Sequence, residues 1–230
     1  MVQVALRRSR RGDTGRLAAA AARYARMGWP VCLGARAGGD GGPSPRAPWG
    51  RIRETGRACS CDRVGCPAPG AHPVSPAWQI EASSDPAQVG RWWREWPDAS
   101  IILVTGRVFD VLDVPAAAGT LALARMDGDE ASAGPVALTA DDRALFFVVT
   151  RGAPADEDEW WSCHLDCEPD GFEPVAGLRW HCRDSYVVGP PSRGGRGPAV
   201  HWIRDPREHP LPDGLRLLEF LAGACDEMIR

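Results

Sequence analysis

Residues Asp85 to Val114, DPAQVGRWWREWPDASIILVTGRVFDVLDV, decide the fold of this chain. Asp85 is an N-cap acid, Pro86 suits the first helical turn, and Gln88 stands three residues on in capping-box position, so a helix begins here. Val89, Trp92, Trp93 and Trp96 follow at spacings of three and four and form one wide apolar face. Rings so spaced serve either core packing or base stacking, and core packing is the expectation. Pro97 and Asp98 end the helix. Ile101 to Val104 and Val108 to Val114 then read as neighbouring strands around a Thr105-Gly106-Arg107 turn, the second ending near a lone carboxylate, Asp113.

Upstream, Thr14 to Met27 reads as a helix carrying Leu17, Ala21, Tyr24 and Ala25 on one stripe. Gly28 suits its C′ position, Pro30 stops it, and Pro30 to Gly34 suits a short buried strand. Residues 35 to 58 are rich in Gly, Pro and Arg and read as a surface loop. Downstream, Ala116 to Met126 is expected as a helix on the sheet, followed by strands at Val136 to Leu138 and Ala144 to Thr150. An acidic insertion spans 153–174. Val175 to Trp180 and Ser185 to Val188 read as a strand pair, and Val200 to Ile203 as a last strand. Leu215, Leu218, Leu221, Ala222 and Cys225 mark a closing amphipathic helix. This mixture predicts an α+β fold, with one domain over 13–230 behind a basic flexible tail over 1–12.

The 230 residues suffice for one sizeable core, and the composition, 44% hydrophobic and 25% charged, is that of a globular protein. No apolar run is long enough to cross a bilayer. Arg7, Arg8, Arg10 and Arg11 lead into Asp13 rather than an apolar stretch, so no signal peptide is expected and the location reads as cytoplasmic, without a membrane partner. All 27 basic residues are arginine, and lysine and asparagine are missing. Both missing residues have AT-rich codons, so a GC-rich genome explains the preference without phosphate recognition. A net charge of −3 argues against nucleic-acid binding over the whole surface and leaves a local basic groove open.

Eight cysteines without a secretion signal point to metal ligands or buried thiols before disulfides. Cys59, Cys61, Cys66 and His72 form C-x-C-x4-C-x5-H in a Gly/Pro-rich stretch. Three thiolates and an imidazole suit a closed, structural zinc site, which would hold an otherwise shapeless loop. Cys163, His164 and Cys167 lack an obvious fourth ligand, and buried free thiols are the expectation there.

The order of these segments resembles the Prim-Pol domain, the bifunctional DNA primase/polymerase N-terminal domain of the archaeo-eukaryotic primase superfamily. The first helix with Gly28-Trp29-Pro30-Val31 is similar to the family's opening helix and "GWPV" strand. Ser84-Asp85-Pro86 with Trp92-Trp93 and Trp96-Pro97-Asp98-Ala99 resembles its second helix. Thr105-Gly106 and Val111-Leu112-Asp113-Val114 resemble the approach to its first catalytic motif. Tyr186-Val187-Val188-Gly189-Pro190-Pro191-Ser192 is similar to "YVVAPPS", and His201-Trp202 to the closing aromatic strand. The resemblance runs from about Ala20 to Ile203. It implies a Prim-Pol fold, with an RRM-like mixed sheet flanked by helices, and similar Cys/His insertions accompany other members.

The family's chemistry uses two divalent ions, Mg2+ or Mn2+, held by carboxylates from separate strands. The first two acids stand two residues apart, the spacing that puts both on one strand face. Asp113 matches the first, and Pro115 fills the second; Asp110, three residues back, belongs to the opposite face. The family's phosphate-binding histidine matches Ala144 in Asp141-Asp142-Arg143-Ala144-Leu145-Phe146-Phe147. The third acid matches Arg179 in Gly177-Leu178-Arg179-Trp180-His181-Cys182. Such a set implies a pseudoenzyme in which Asp113 is vestigial and divalent ions are doubtful. Arg179 is then expected either to contact a phosphate or to pair with Asp113. Arg143, Arg179, Arg183 and Arg193 are the candidate contacts for single-stranded DNA or nucleotides, with replication or mobile-element proteins as further partners. Two other readings stay open: an active enzyme recruiting Asp110, Asp141 or Asp184, and a zinc-stabilised protein-interaction domain.

Overall fold

The structure, a computed structural model, describes residues 15–38, 59–61, 63, 65–128, 131–150, 177–194 and 197–229. The basic tail, most of the 35–58 loop and the acidic insertion with Cys163, His164 and Cys167 lie outside the described residues. Helix α1 covers 15–26 and leads into β1 (Val31–Gly34). A short α2 (Trp78–Glu81) precedes α3 (Pro86–Glu95), β2 (Ser100–Val104) and β3 (Phe109–Pro115). Then come α4 (Ala116–Gly128), β4 (Val136–Leu138), β5 (Arg143–Val149), β6 (Arg179–His181), β7 (Tyr186–Val188), β8 (His201–Arg204) and α5 (Gly214–Ile229). The α+β expectation holds. The strands form two antiparallel sheets, one in the order β1-β2-β7 and one in the order β6-β3-β5-β4-β8.

Local signals worked where local chemistry governs. Asp85 caps α3, accepting from the amides of Ala87 at 2.9 Å and Gln88 at 3.3 Å. The reciprocal half of the capping box does not form: the Asp85 amide donates to Ser83 Oγ at 3.0 Å, and the Gln88 side chain accepts from Arg91. The predicted apolar face divides. Val89 and Trp93 are buried, Trp92 is half-buried, and Trp96 is 55% exposed. Trp96 is the C-cap, where φ −122° and ψ 68° take the chain off the helical path and its ring off the stripe.

Two expected hairpins are not paired as read. β2 joins β1 and β7, whereas β3 joins β5 and β6; likewise β6 and β7 lie in different sheets. The registers explain this: Val104 opposes Tyr186 in one sheet and Val111 opposes His181 in the other. β2 and β3 therefore run alongside β7 and β6 as a two-stranded ribbon that bends from one sheet into the next. At the bend the Thr105 amide donates to the Ser185 carbonyl at 3.1 Å, and the Thr105 hydroxyl donates to the Cys182 carbonyl. Gly106 takes φ +79°, and a Cβ there would sit 2.3 Å from Arg183 Cα. Only glycine lets the two backbones cross this closely. Gly106→Ala should therefore cost at least about 2 kcal/mol in urea denaturation, combining left-handed strain with overlap. A loss below about 0.5 kcal/mol would mean that the corner relaxes freely.

The five-stranded sheet separates two cores. Phe109, Val111, Ala137, Leu145 and Phe147 pack under α1, α3 and the three-stranded sheet. Leu112, Val114, Phe146, Val148 and Trp180 pack against α4 and α5. The motifs behind the resemblance meet in the first core. Trp29 stacks on Tyr24 at 5.8 Å and on Phe147 at 5.4 Å, Trp202 Nε1 donates to Tyr24 Oη at 2.9 Å, and Tyr24 donates to the Pro190 carbonyl at 2.7 Å. These residues are framework, and they hold β3 at a fixed depth.

Candidate functional site

Side chains alternate along β3, so Phe109, Val111, Asp113 and Pro115 share one face while Asp110, Leu112 and Val114 share the other. Phe109 and Val111 enter the first core, which leaves Asp113 at its rim with only 7% of its side chain exposed. A carboxylate so nearly dehydrated needs partners. Arg143 Nε donates to Asp113 Oδ1 at 2.7 Å, and Arg143 also donates to the carbonyls of Asp113 at 3.0 Å and Gly177 at 2.7 Å. His181 Nε2 lies 3.3 Å from Asp113 Oδ2, and His181 Nδ1 lies 3.0 Å from Ser185 Oγ. A carboxylate only accepts, so Nε2 carries the hydrogen toward Asp113, and Ser185 Oγ holds the other ring nitrogen in place. Both carboxylate oxygens are thus engaged, one by a guanidinium and one by an imidazole.

Local structure prepares this arrangement. The turn between β4 and β5 places Asp142 at φ 57°, and Thr139 Oγ1 accepts from the Arg143 amide at 3.1 Å. Register then puts Arg143 opposite Pro115, on the Asp113 face. Pro115 packs under Gly177, whose added Cβ would sit 3.1 Å from Pro115 Cγ. Proline at 115 fills this corner with ring carbons.

The structure sorts the residues singled out from sequence. Ala144, matched to the family's histidine by resemblance, opposes Val114, faces α4 and belongs to the second core, so it does not share the Asp113 face. Period-two alternation makes Arg143, its neighbour, the residue that reaches Asp113. Arg179 opposes Asp113 in register but is exposed, and among the described residues no ion pair links them. The ion pair expected at Asp113 is made by Arg143 instead, because Arg143 is anchored by two carbonyls as well. Arg183 is exposed at the ribbon bend, 3.8 Å from Asp184, and Arg193 is exposed after β7. The four arginines therefore do not converge on one point. Asp110 is buried on the α4/α5 side, Asp141 is exposed in the β4–β5 turn, and Asp184 is exposed at the bend. His181 and Ser185 were not singled out as partners of Asp113. Their signal was present, since His181 stands two residues after Arg179 and so shares its face.

The Cys/His cluster lies elsewhere, at the end of β1. Cys59, Cys61, Cys66 and His72 bring their ligand atoms within 4.8 Å of one another. The chain that carries them is tied down at both ends: Ala37 pairs with Cys59, the Ala35 amide donates to the His72 carbonyl at 2.8 Å, and the Ser60 amide donates to Arg36 at 2.9 Å. Gly70, at φ +75°, packs where a Cβ would lie 2.6 Å from the Arg193 carbonyl. A tetrahedral ion with bonds of about 2.0–2.3 Å holds its ligand atoms roughly 3.5 Å apart, and Cys59 Sγ and His72 Nε2 are 3.4 Å apart. His72 Nδ1 donates to the Pro73 carbonyl at 2.8 Å, which turns Nε2 toward the cluster. Burial pushes the Cys59 thiol up, but hydrogen bonds from the Cys61 and Gly70 amides, His72 and Cys61 outweigh it and bring it down to about 6. The lowering favours the thiolate, the form in which cysteine binds a metal. These residues fit a bound metal ion.

No helix among the described residues is long and apolar enough to cross a membrane. The family model for the bifunctional DNA primase/polymerase N-terminal domain, Prim-Pol, matches residues 21–213. No curated protein matches the chain.

Proposed function

The chain belongs to the bifunctional DNA primase/polymerase N-terminal family, and from that membership we propose that it has lost two-metal nucleotidyl transfer and serves as a binding module. Its ligand is single-stranded nucleic acid or a nucleotide, in a cytoplasmic replication or mobile-element setting. The observation that carries this reading is the closure of Asp113 by Arg143 at 2.7 Å and His181 at 3.3 Å. Nucleotidyl transfer needs two carboxylates converging on divalent ions. Here one carboxylate already has its charge neutralised, and Pro115 supplies no ligand. A pair of Mg2+ or Mn2+ ions does not fit these residues. Arg179, exposed on the rung opposite Asp113, is the proposed phosphate contact, and the exposed Arg183 and Arg193 are further candidates apart from it. Zinc is the proposed ion for the Cys/His cluster, because three thiolates and one imidazole favour it over hard cations.

The test is binding of a fluorescent single-stranded oligonucleotide across a salt series, with and without Mn2+ and nucleoside triphosphates. We expect affinity that falls steeply with salt, a several-fold weakening by Arg179→Ala, and no primer extension. Extension would overturn the reading and favour an atypical carboxylate set that includes Asp110, Asp141 or Asp184. No binding at low salt would favour a protein-interaction role for the metal-clamped loop.

A further inference from the structure

A pocket of about 320 Å³ opens at the outer edge of β1, sharing no residue with the Asp113 site or the Cys/His cluster. Its frame is rigid, because the edge strand is hydrogen-bonded on either side of it. Val31 exchanges bonds with Ser83 at 3.0 and 2.9 Å, and the Leu33 carbonyl accepts from the Val74 amide at 3.0 Å. The indoles of Trp78 and Trp92 stand in its walls, each half-buried, and Trp78 is braced against Tyr186 at 5.1 Å with the rings at 76°. Cys32 lies on the floor, where burial pushes its thiol up to about 12 and keeps it neutral. Core packing explains Trp93, but it leaves one side of Trp92 and Trp78 facing this space.

The polar groups of the pocket are few and of opposite kinds. Glu81 is exposed and forms no ion pair among the described residues, so its carboxylate is a free acceptor. The Gln88 side-chain oxygen already accepts from Arg91, which leaves its amide N–H groups to donate. Two cations stand against the pocket-forming helices: Arg91, on α3 one turn on from Gln88, and Arg107, in the turn between β2 and β3, which donates to the Gln79 carbonyl of α2. An acceptor and a donor lining one pocket with two indoles suit a flat ring that bears an amino group next to a ring-nitrogen acceptor. Cytosine and adenine have that edge, and thymine presents a ring N–H donor between two carbonyl oxygens instead. Rings of this size stack on indole with little regard to sequence, so selectivity falls to Glu81 and Gln88.

We infer that this pocket binds one unpaired cytosine or adenine, stacked on Trp78 or Trp92, with its amino group on Glu81 and its phosphate toward Arg91 and Arg107. The base belongs either to a single strand or to a free nucleotide. The inference rests on the proposed function only for its class of ligand, since the pocket shares no residue with the Asp113 site.

The full chain is titrated with dCMP, dAMP and dTMP by ligand-observed NMR, and in parallel cross-linked to an oligonucleotide carrying 5-iododeoxycytidine. We expect dCMP and dAMP to bind about tenfold more tightly than dTMP, and Glu81→Gln, an exposed change that spares the fold, to remove that preference. Trp78→Leu should weaken all three. Cross-links within residues 78–92 identify a strand as the source, and nucleotide binding without cross-links identifies the free nucleotide. Equal binding of dTMP, or dCMP binding unchanged by both substitutions, overturns the pocket. If Arg179→Ala abolishes oligonucleotide binding while Glu81→Gln and Trp78→Leu leave dCMP untouched, the pocket falls and the proposed function stands. If dCMP selectivity holds while Arg179→Ala leaves oligonucleotide affinity unchanged, the pocket stands and the role of Arg179 falls.

Discussion

Arg143→Ala should destabilise the domain by about 3–5 kcal/mol in chemical denaturation, because it leaves the Asp113 carboxylate dehydrated and unpaired. The side chains involved are 16% and 7% exposed, so water offers little compensation. Arg143 also holds the carbonyls of Asp113 and Gly177, and both would be left without that donor. Lysine should not rescue the variant, since one ammonium cannot reproduce a planar fork that serves three acceptors. A joint Asp113→Leu and Arg143→Met replacement should recover most of the loss, because removing both charges removes the desolvation cost with them. A single-variant loss within about 1 kcal/mol of zero would mean that solvent or His181 carries the pairing instead. The same experiment bears on function. If stability does depend on the pair, the proposed loss of two-metal chemistry gains support, because ligating a metal ion would have to break it.

The other large effect concerns the Cys/His cluster. Protein purified without chelator should carry one zinc ion per chain by elemental analysis, and stripping it should lower stability by on the order of 5 kcal/mol, or about 10–20 °C in Tm. The expected loss is smaller than that of an isolated zinc finger because β1 and the segment around Arg193 already hold parts of the loop in place. Cys66→Ser should reproduce the loss without chelator, and hydrogen exchange should then rise across 59–74 while the five-stranded sheet stays protected. An unchanged Tm with full loss of metal would make the cluster an adventitious site.

Much of the fold was legible because it is written in short-range chemistry. The Asp85 cap, the Gly28 stop and the alternation that separates Asp113 from Asp110 each depend on residues within one or two turns, or within one strand. The Cys/His spacing was legible for the same reason, since four ligands within 14 residues close on themselves. The pairing of strands was not. β2 and β3 look like a hairpin in sequence because a Thr-Gly turn separates them. Their partners, however, are set by β7 and β6, far along the chain, and by the closeness of Gly106 to Arg183. Trp96 was expected in the core with Val89 and Trp93, but the cap at the end of α3 turned it outward.

By itself, the sequence determined the α+β class, the family, the loss of a second acid at Pro115 and a likeness to a closed metal site. Each is a property of residue type and spacing along one element. Only the tertiary structure decided that Arg143 rather than Arg179 neutralises Asp113, that His181 joins it, that Ala144 belongs to a different core, and that Trp78, Glu81, Gln88 and Trp92 share a pocket. Those facts depend on strand register and on which faces are brought together, and a register shift of one residue would exchange every side chain on the Asp113 face for its neighbours.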